Sequence, residues 1–293
     1  MAESENTASD SHSDSMSFWH HLAELRNTLL HIAILVGVLF VGFFIFMPEF
    51  FDAVILAPCS PDFPTYRLFD HISGDGVFIP DLSASSNDIS LININLGTQL
   101  ITQMSASMWM ACLFGFPFII YRLWLFISPG LYPREKRGAR KAFIFGNIMF
   151  YTGMTVAYFL IFPLILRFLS GYQLSERIAN TITLDSYMET FYLINLSFGI
   201  IFELPLLTWL LGRIGILSRG FFSRYRRHAI VGMLILAALI TPTGDPFTLI
   251  IVFIPLYSLW ELSARLVPPS DDDTTPDSAE NIHSEQNSSQ NRP

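Results

Sequence analysis

Glu203 stands in the run FGIIFELPLL (198–207), where every neighbour is apolar, glycine or proline and Pro205 follows two positions later. A charged side chain at the centre of a membrane helix costs roughly 3 kcal/mol on insertion scales, so such a group faces a protein interior or a wet cavity. Pro205 brings no N–H and frees the carbonyl of Ile201, which predicts a bend with exposed polar backbone beside the carboxylate. The alternative is a protonated glutamate hydrogen-bonded to a neighbouring helix. Asp245, in TPTGDP (241–246), is the other acid inside an apolar region, and Thr248 follows it. Catalysis has no further support: there is no HExxH, no GxSxG and no second buried aspartate to work with Asp245. Cys59 falls in a loop and Cys112 in an apolar run, and no metal-type spacing exists. The chain therefore reads as a non-enzyme with no metal and no cofactor.

The elements that must position these groups follow from composition. Of 293 residues, 51% are hydrophobic and only 14% charged, against about 25% charged in a soluble domain. Long charge-free runs, each sufficient to cross a bilayer at roughly 20 residues, make this an all-α polytopic membrane protein. Six spans are expected at 28–47, 104–123, 142–167, 188–212, 228–242 and 247–264. The last two are short and joined by the turn chemistry of TPTGDP. Pro117, Pro163, Pro205 and Pro255 sit inside spans and bend them. The net charge of −8 lies largely in the two ends. Residues 1–17 and 267–293 are polar and acidic and read as disordered tails, with no signal-peptide pattern at the start. Nothing points to nucleic acid.

Basic residues set the orientation. Loop 122–141 holds Arg122, Arg134, Lys136, Arg137, Arg140 and Lys141, and loop 213–227 holds Arg213, Arg219, Arg224, Arg226 and Arg227. The loops 48–103 and 168–187 carry only Arg67 and Arg177. Positive charge concentrates on the cytoplasmic side, which places both basic loops and both termini inside.

Three segments resemble one family. FWHHLAELRNTLL (18–30) resembles the lead-in H-L-x-E-L-R of TatC, the receptor subunit of the twin-arginine protein translocase. YRLWLFISPGLYPREKR (121–137) resembles its first cytoplasmic loop, and FGIIFELPLL with TPTGDPF resembles its fourth helix and the turn before its sixth. The resemblance covers residues 18–266 in order. It implies a concave, glove-like fold of six helices in the bacterial cytoplasmic membrane. The implied work is binding twin-arginine signal peptides of folded cargo and recruiting TatA-type, often also TatB-type, single-span partners within a complex holding several copies. Transport would be driven by the proton-motive force, with membrane lipid as surroundings.

Carboxylates accept a guanidinium fork bidentately, and the resemblance carries the arginine-receiving role to Glu24 and Glu135. Taken alone, Glu24 could favour a helix N-terminus and Glu135 could pair with Arg134, Lys136 or Arg137. The resemblance adds Phe126 to the peptide pocket, with Arg26, Pro129, Leu131 and Tyr132 supporting it. Pro58 matches a proline that fixes a turn in the first external loop. Glu203, Pro205, Asp245 and Thr248 are the expected intramembrane polar contacts for a partner helix. His20 and His21 read as interfacial. Two departures stand out: an insertion, DHISGDGVFIPDLSASSNDIS, in the first external loop, and Leu249 where the family usually has a polar residue. A small-solute secondary transporter is the rival class; paired repeats would mark it, and none is clear here.

Overall fold

The computed structural model describes residues 4–72, 89–127, 133–172, 174–175, 177, 180–213, 217 and 219–267; in 4–22, 70–72, 123–124, 126–127, 133–142, 213 and 219 it describes backbone alone. Most of the expected C-terminal tail, from residue 268 on, and most of the inserted external loop lie outside the described residues. The chain divides into two compact units: 1–60, 91–147 and 183–185, then 61–90, 148–182 and 186–293.

The first unit is built on α1 (Ser4–Phe50), α3 (Thr98–Ile127) and the start of α4 (Pro133–Val156). Its helix α1 takes in the polar stretch before residue 18. The packing of α1 on α3 is antiparallel: Phe43 meets Phe114 with ring centroids 5.2 Å apart, and Leu39 and Val36 lie against Gly115. Pro48 sits inside α1 and supplies no N–H to the carbonyl of Phe44. Gln103 of α3 answers it, its Nε2 donating to that carbonyl at 3.0 Å. Beyond Pro48 the chain widens into a π turn, Phe51–Ile55, then a 3-10 turn, Ala57–Cys59, in which Pro58 is buried.

The second unit repeats the same device. The described helices are α2 (Pro64–Ile72), the rest of α4, α5 (Phe162–Gly171), α6 (Leu184–Ile201), α7 (Leu204–Arg213), α8 (Arg219–Arg224), α9 (Arg226–Ile240) and α10 (Pro246–Leu266). A π segment, Ala157–Ile161, joins α4 to α5. Pro163 leaves the carbonyl of Phe159 without a helical N–H, and the Thr65 hydroxyl of α2 donates to it. Next to it, Tyr66 donates its hydroxyl to the Pro163 carbonyl at 3.3 Å and receives the Arg167 guanidinium over its ring at 4.4 Å. This short helix is thereby held on the π segment and α5. Phe162, Tyr187 and Phe191 form an edge-on aromatic core beneath it.

Helices α4 and α6 cross closely at Gly153. A Cβ on Gly153 would stand 2.5 Å from the Phe198 carbonyl oxygen and 2.7 Å from Phe202. Only a hydrogen fits, and this backbone approach is how membrane helices gain packing energy where lipid offers no hydrophobic drive.

Among the described residues, five stretches are long and apolar enough to cross a membrane: Ala23–Phe69, Thr98–Arg122, Phe143–Gly171, Leu184–Gly212 and Pro246–Leu266. The 15-residue α9 makes the sixth expected helix; at about 22 Å it is shorter than a core of about 30 Å. Its partner α10 carries through Glu261 to Leu266 and has 21 residues. TPTGDP is the turn between them, with Gly244 at φ 57, a conformation glycine adopts freely.

Candidate functional site

Asp245 caps α10. Its Oδ1 accepts from the backbone N–H of Phe247 at 3.0 Å and of Thr248 at 2.9 Å, and its Oδ2 accepts from the hydroxyls of Thr243 and Thr248, both at 2.6 Å. Burial pushes this carboxyl up, but those donors outweigh it and hold it below the usual carboxylate range. Their contribution is present above the ordinary carboxylate pKa and is lost as pH falls through the lowered value. Thr248 is 0% exposed, so its hydroxyl serves this cap from inside the unit. Asp245→Ala is expected to lower stability by about 1 kcal/mol, read as a reduced thermal midpoint in detergent, while Asp245→Asn keeps most of it. An unchanged midpoint for the alanine variant would show that the cap does not hold α10.

Glu203 lies in the break between α6 and α7, where the prolines of the sequence predict a bend. The helical pattern fails there: Phe202 still donates to Phe198 at 2.9 Å, but Glu203 donates three residues back, to Ile200, at 3.0 Å. Regular turns resume as Leu207 donates to Glu203 at 3.0 Å. Pro205 is buried just beyond. The Gly153 crossing presses α4 onto Phe202 and so fixes the residue before Glu203. The carboxylate is half-buried, and it makes no hydrogen bond or ion pair among the described residues. The alternative of a glutamate bonded to a neighbouring helix is not what the described residues contain.

Glu24 and Arg26 belong to the other end of the first unit. Equal numbers of residues separate Gly115 from Ile127 on α3 and Val36 from Glu24 on α1, about 18 Å in each case at 1.5 Å per residue. Because α1 and α3 run antiparallel with Val36 against Gly115, Glu24 and the C-terminal end of α3 lie at one level. Glu24 is half-buried and Arg26 exposed. The backbone of Phe126 is in the last turn of α3, and Glu135 is in the first turn of α4, opened by Pro133. The side chains of Phe126 and Glu135 lie outside the described residues, as do Pro129, Leu131 and Tyr132 altogether. Arg122 stacks on the Phe118 ring at 5.1 Å on the same end of α3.

Two features lie outside the sequence-based expectations. Arg226, at the start of α9, is ion-paired with Glu261 of α10. Tyr257 completes the cluster, donating to Glu261 at 2.9 Å and accepting from Arg226 Nε at 3.2 Å. Their separation in sequence hides the pairing. Arg167 is the second: it closes an apolar run, yet it is 5% exposed and takes its place over Tyr66. Its apolar neighbours could have flagged it. No group of three or more His, Cys, Asp or Glu among the described residues could hold a metal.

The family model described as "Sec-independent protein translocase protein (TatC)" matches residues 20–255. The chain belongs to the TatC family. The TatC protein of Blattabacterium sp. subsp. Periplaneta americana is 32% identical over 259 residues, covering 85% of this chain and 93% of its own. That of Desulforapulum autotrophicum is 32% identical over 267 residues, covering 90% of each. Among solved structures, a crystal structure of the twin-arginine translocase receptor TatC superposes with a TM-score of 0.63 at 27% identity, over 84% of this chain and 97% of that one. A second crystal structure of TatC, in DDM, gives 0.65 at 26% identity, over 85% and 99%. As a TatC protein the chain is a multi-pass membrane component of a protein translocase and not an enzyme.

Proposed function

We propose that this TatC protein is the receptor core of a twin-arginine translocase in a bacterial cytoplasmic membrane, with both termini cytoplasmic. It binds the twin-arginine signal peptides of folded cargo and recruits TatA-type and TatB-type single-span partners. Several copies act together, and the proton-motive force drives export. Glu24 and Glu135 accept the two guanidinium groups, Phe126 lines the pocket, and Arg26, Pro129, Leu131 and Tyr132 shape it. The observation that carries this reading is the antiparallel register of α1 and α3, which brings Glu24 level with the α3 end. From there the chain leads within a few residues to Glu135. The test is crosslinking of a twin-arginine peptide from probes at residues 24 and 135 of the membrane-embedded protein, beside a twin-lysine control. Crosslinks with the arginine peptide alone support the reading; equal yields with both overturn it.

Glu203 and Pro205 serve a later step in the same reading. A half-buried carboxylate beside an interrupted helix offers a polar contact to a partner helix or to the signal peptide, and perturbs the lipid around it. Glu203→Gln and Glu203→Ala are expected to insert and bind peptide normally while export of a folded reporter falls. Full export by Glu203→Leu would show that the carboxylate is merely tolerated. Asp245 and Thr248, engaged with each other in the cap, act in partner docking through the position of α10.

A further inference from the structure

At the end of the first unit opposite Glu24, the Pro48 break borders a cavity of about 400 Å³. Its construction follows from the same missing N–H. Gln103 spends its amide on the Phe44 carbonyl, which ties α3 to α1 at this level, and the π turn Phe51–Ile55 carries the chain aside. Met47, Phe51 and Leu56 make an apolar wall. Facing the same space are Asp52, Asn93, Gln99 and Thr102. Among the described residues, none of these four side chains makes a hydrogen bond or ion pair. Thr102 is nevertheless only 6% exposed. Polar groups that converge on an apolar cavity without internal partners are the ordinary composition of a ligand site.

The charge pattern narrows the ligand. Among the described residues, Asp52 is the one charged residue lining the cavity, and no lysine, arginine or histidine lines it. An anionic ligand would meet a carboxylate with no cation to offset it. A cationic donor would gain a charge-assisted hydrogen bond. The surroundings narrow it again: Ile45, Phe46, Leu100 and Ile101, on the same two helices, are exposed apolar side chains of segments long enough to cross a membrane. Acyl chains lie against such a surface.

We propose that this cavity binds the head group of a phospholipid bearing a primary ammonium, as in phosphatidylethanolamine. Asp52 accepts from the ammonium. Asn93, Gln99 and Thr102 donate to the phosphate and ester oxygens, and the apolar wall takes the first methylenes. A choline head group has no N–H to give, and a glycerol head group leaves the lipid with net negative charge beside Asp52.

The full-length protein in nanodiscs containing equal phosphatidylethanolamine, phosphatidylcholine and phosphatidylglycerol tests this by native mass spectrometry of the lipid retained after detergent stripping. The ethanolamine lipid is expected to be retained roughly fivefold over each of the others, the span of a partly exposed ion pair. Asp52→Asn and Gln99→Leu are both expected to reduce that preference towards equal retention. Asp62→Asn, which removes an exposed acid paired with Arg67 that does not line the cavity, is expected to leave it intact. Equal retention by the native protein overturns the proposal, as does an unchanged preference in both cavity variants. Displacement by soluble phosphoethanolamine as readily as by the lipid overturns it too, since the lipid would then not be the ligand. Should Asp52→Asn fail to fold, the Gln99→Leu comparison decides the matter by itself.

Discussion

The double variant Glu24→Ala/Glu135→Ala is expected to bind a twin-arginine peptide at least about a hundredfold more weakly than the native protein. A hydrogen bond to a charged group contributes about 1.5 to 3 kcal/mol, so each carboxylate accounts for a factor of about ten or more. The two acids meet different guanidinium groups in the proposed site and so act nearly independently. Their losses then multiply. The single variants should each lose part of the effect, Glu135→Ala the larger part. The glutamine variants should fall between, because an amide oxygen still accepts a hydrogen bond but carries no charge. A lysine peptide should respond less to either substitution, since an ammonium cannot form the bidentate pair. Fluorescence anisotropy of a labelled peptide on protein in nanodiscs reads all of this. Native affinity in the double variant, at an unchanged thermal midpoint, would remove the assignment of both residues.

Gly153→Leu is expected to prevent the second unit from folding, and Gly153→Ala to destabilise it by about 2 to 3 kcal/mol. The reason is that a Cβ there would lie 2.5 Å from a backbone oxygen, that of Phe198, and 2.7 Å from the Phe202 side chain close to its root. Neither can swing away, so α4 and α6 must part. Their separation would release Phe202 and the Glu203 break next to it. Gly199→Ala should be milder, because its Cβ would meet the ring edge of Phe150 at 2.8 Å and the Met154 side chain at 3.1 Å, and these groups can turn. The thermal midpoint and the yield of protease-resistant protein give the order. A native midpoint for Gly153→Ala would mean that the helices do not cross as closely as described.

Much of the architecture was legible in the residues because lipid leaves so few options. Backbone groups in hydrocarbon must pair within a helix, so a charge-free run such as Ala142 to Leu166 has one reading, and α4 through α5 follows it. Pro205 foretold the interruption at Phe202 and Glu203 for the same reason: a missing N–H is a local fact. TPTGDP foretold the turn, but the sequence marks Asp245 as a contact for a partner helix, and only the structure makes it the cap of α10.

What joins those elements was not legible. Pro48 and Pro163 each announce a freed carbonyl, but nothing local says that Gln103 and Thr65, far away in the chain, are the side chains that reach Phe44 and Phe159. Gly153 looks like any glycine in an apolar run until Phe198 lies against it. The pairing of Arg226 with Glu261 and the burial of Arg167 likewise exist only once α9 meets α10 and α2 meets α5. By itself, the sequence determined the apolar spans, the breaks at Pro205 and TPTGDP and the family the chain belongs to, since those follow from local backbone chemistry and ordered motifs. Tertiary structure alone decided which carbonyl, ring or carboxylate each polar side chain serves, because a hydrogen bond between distant segments depends on helix register, and register is set by packing.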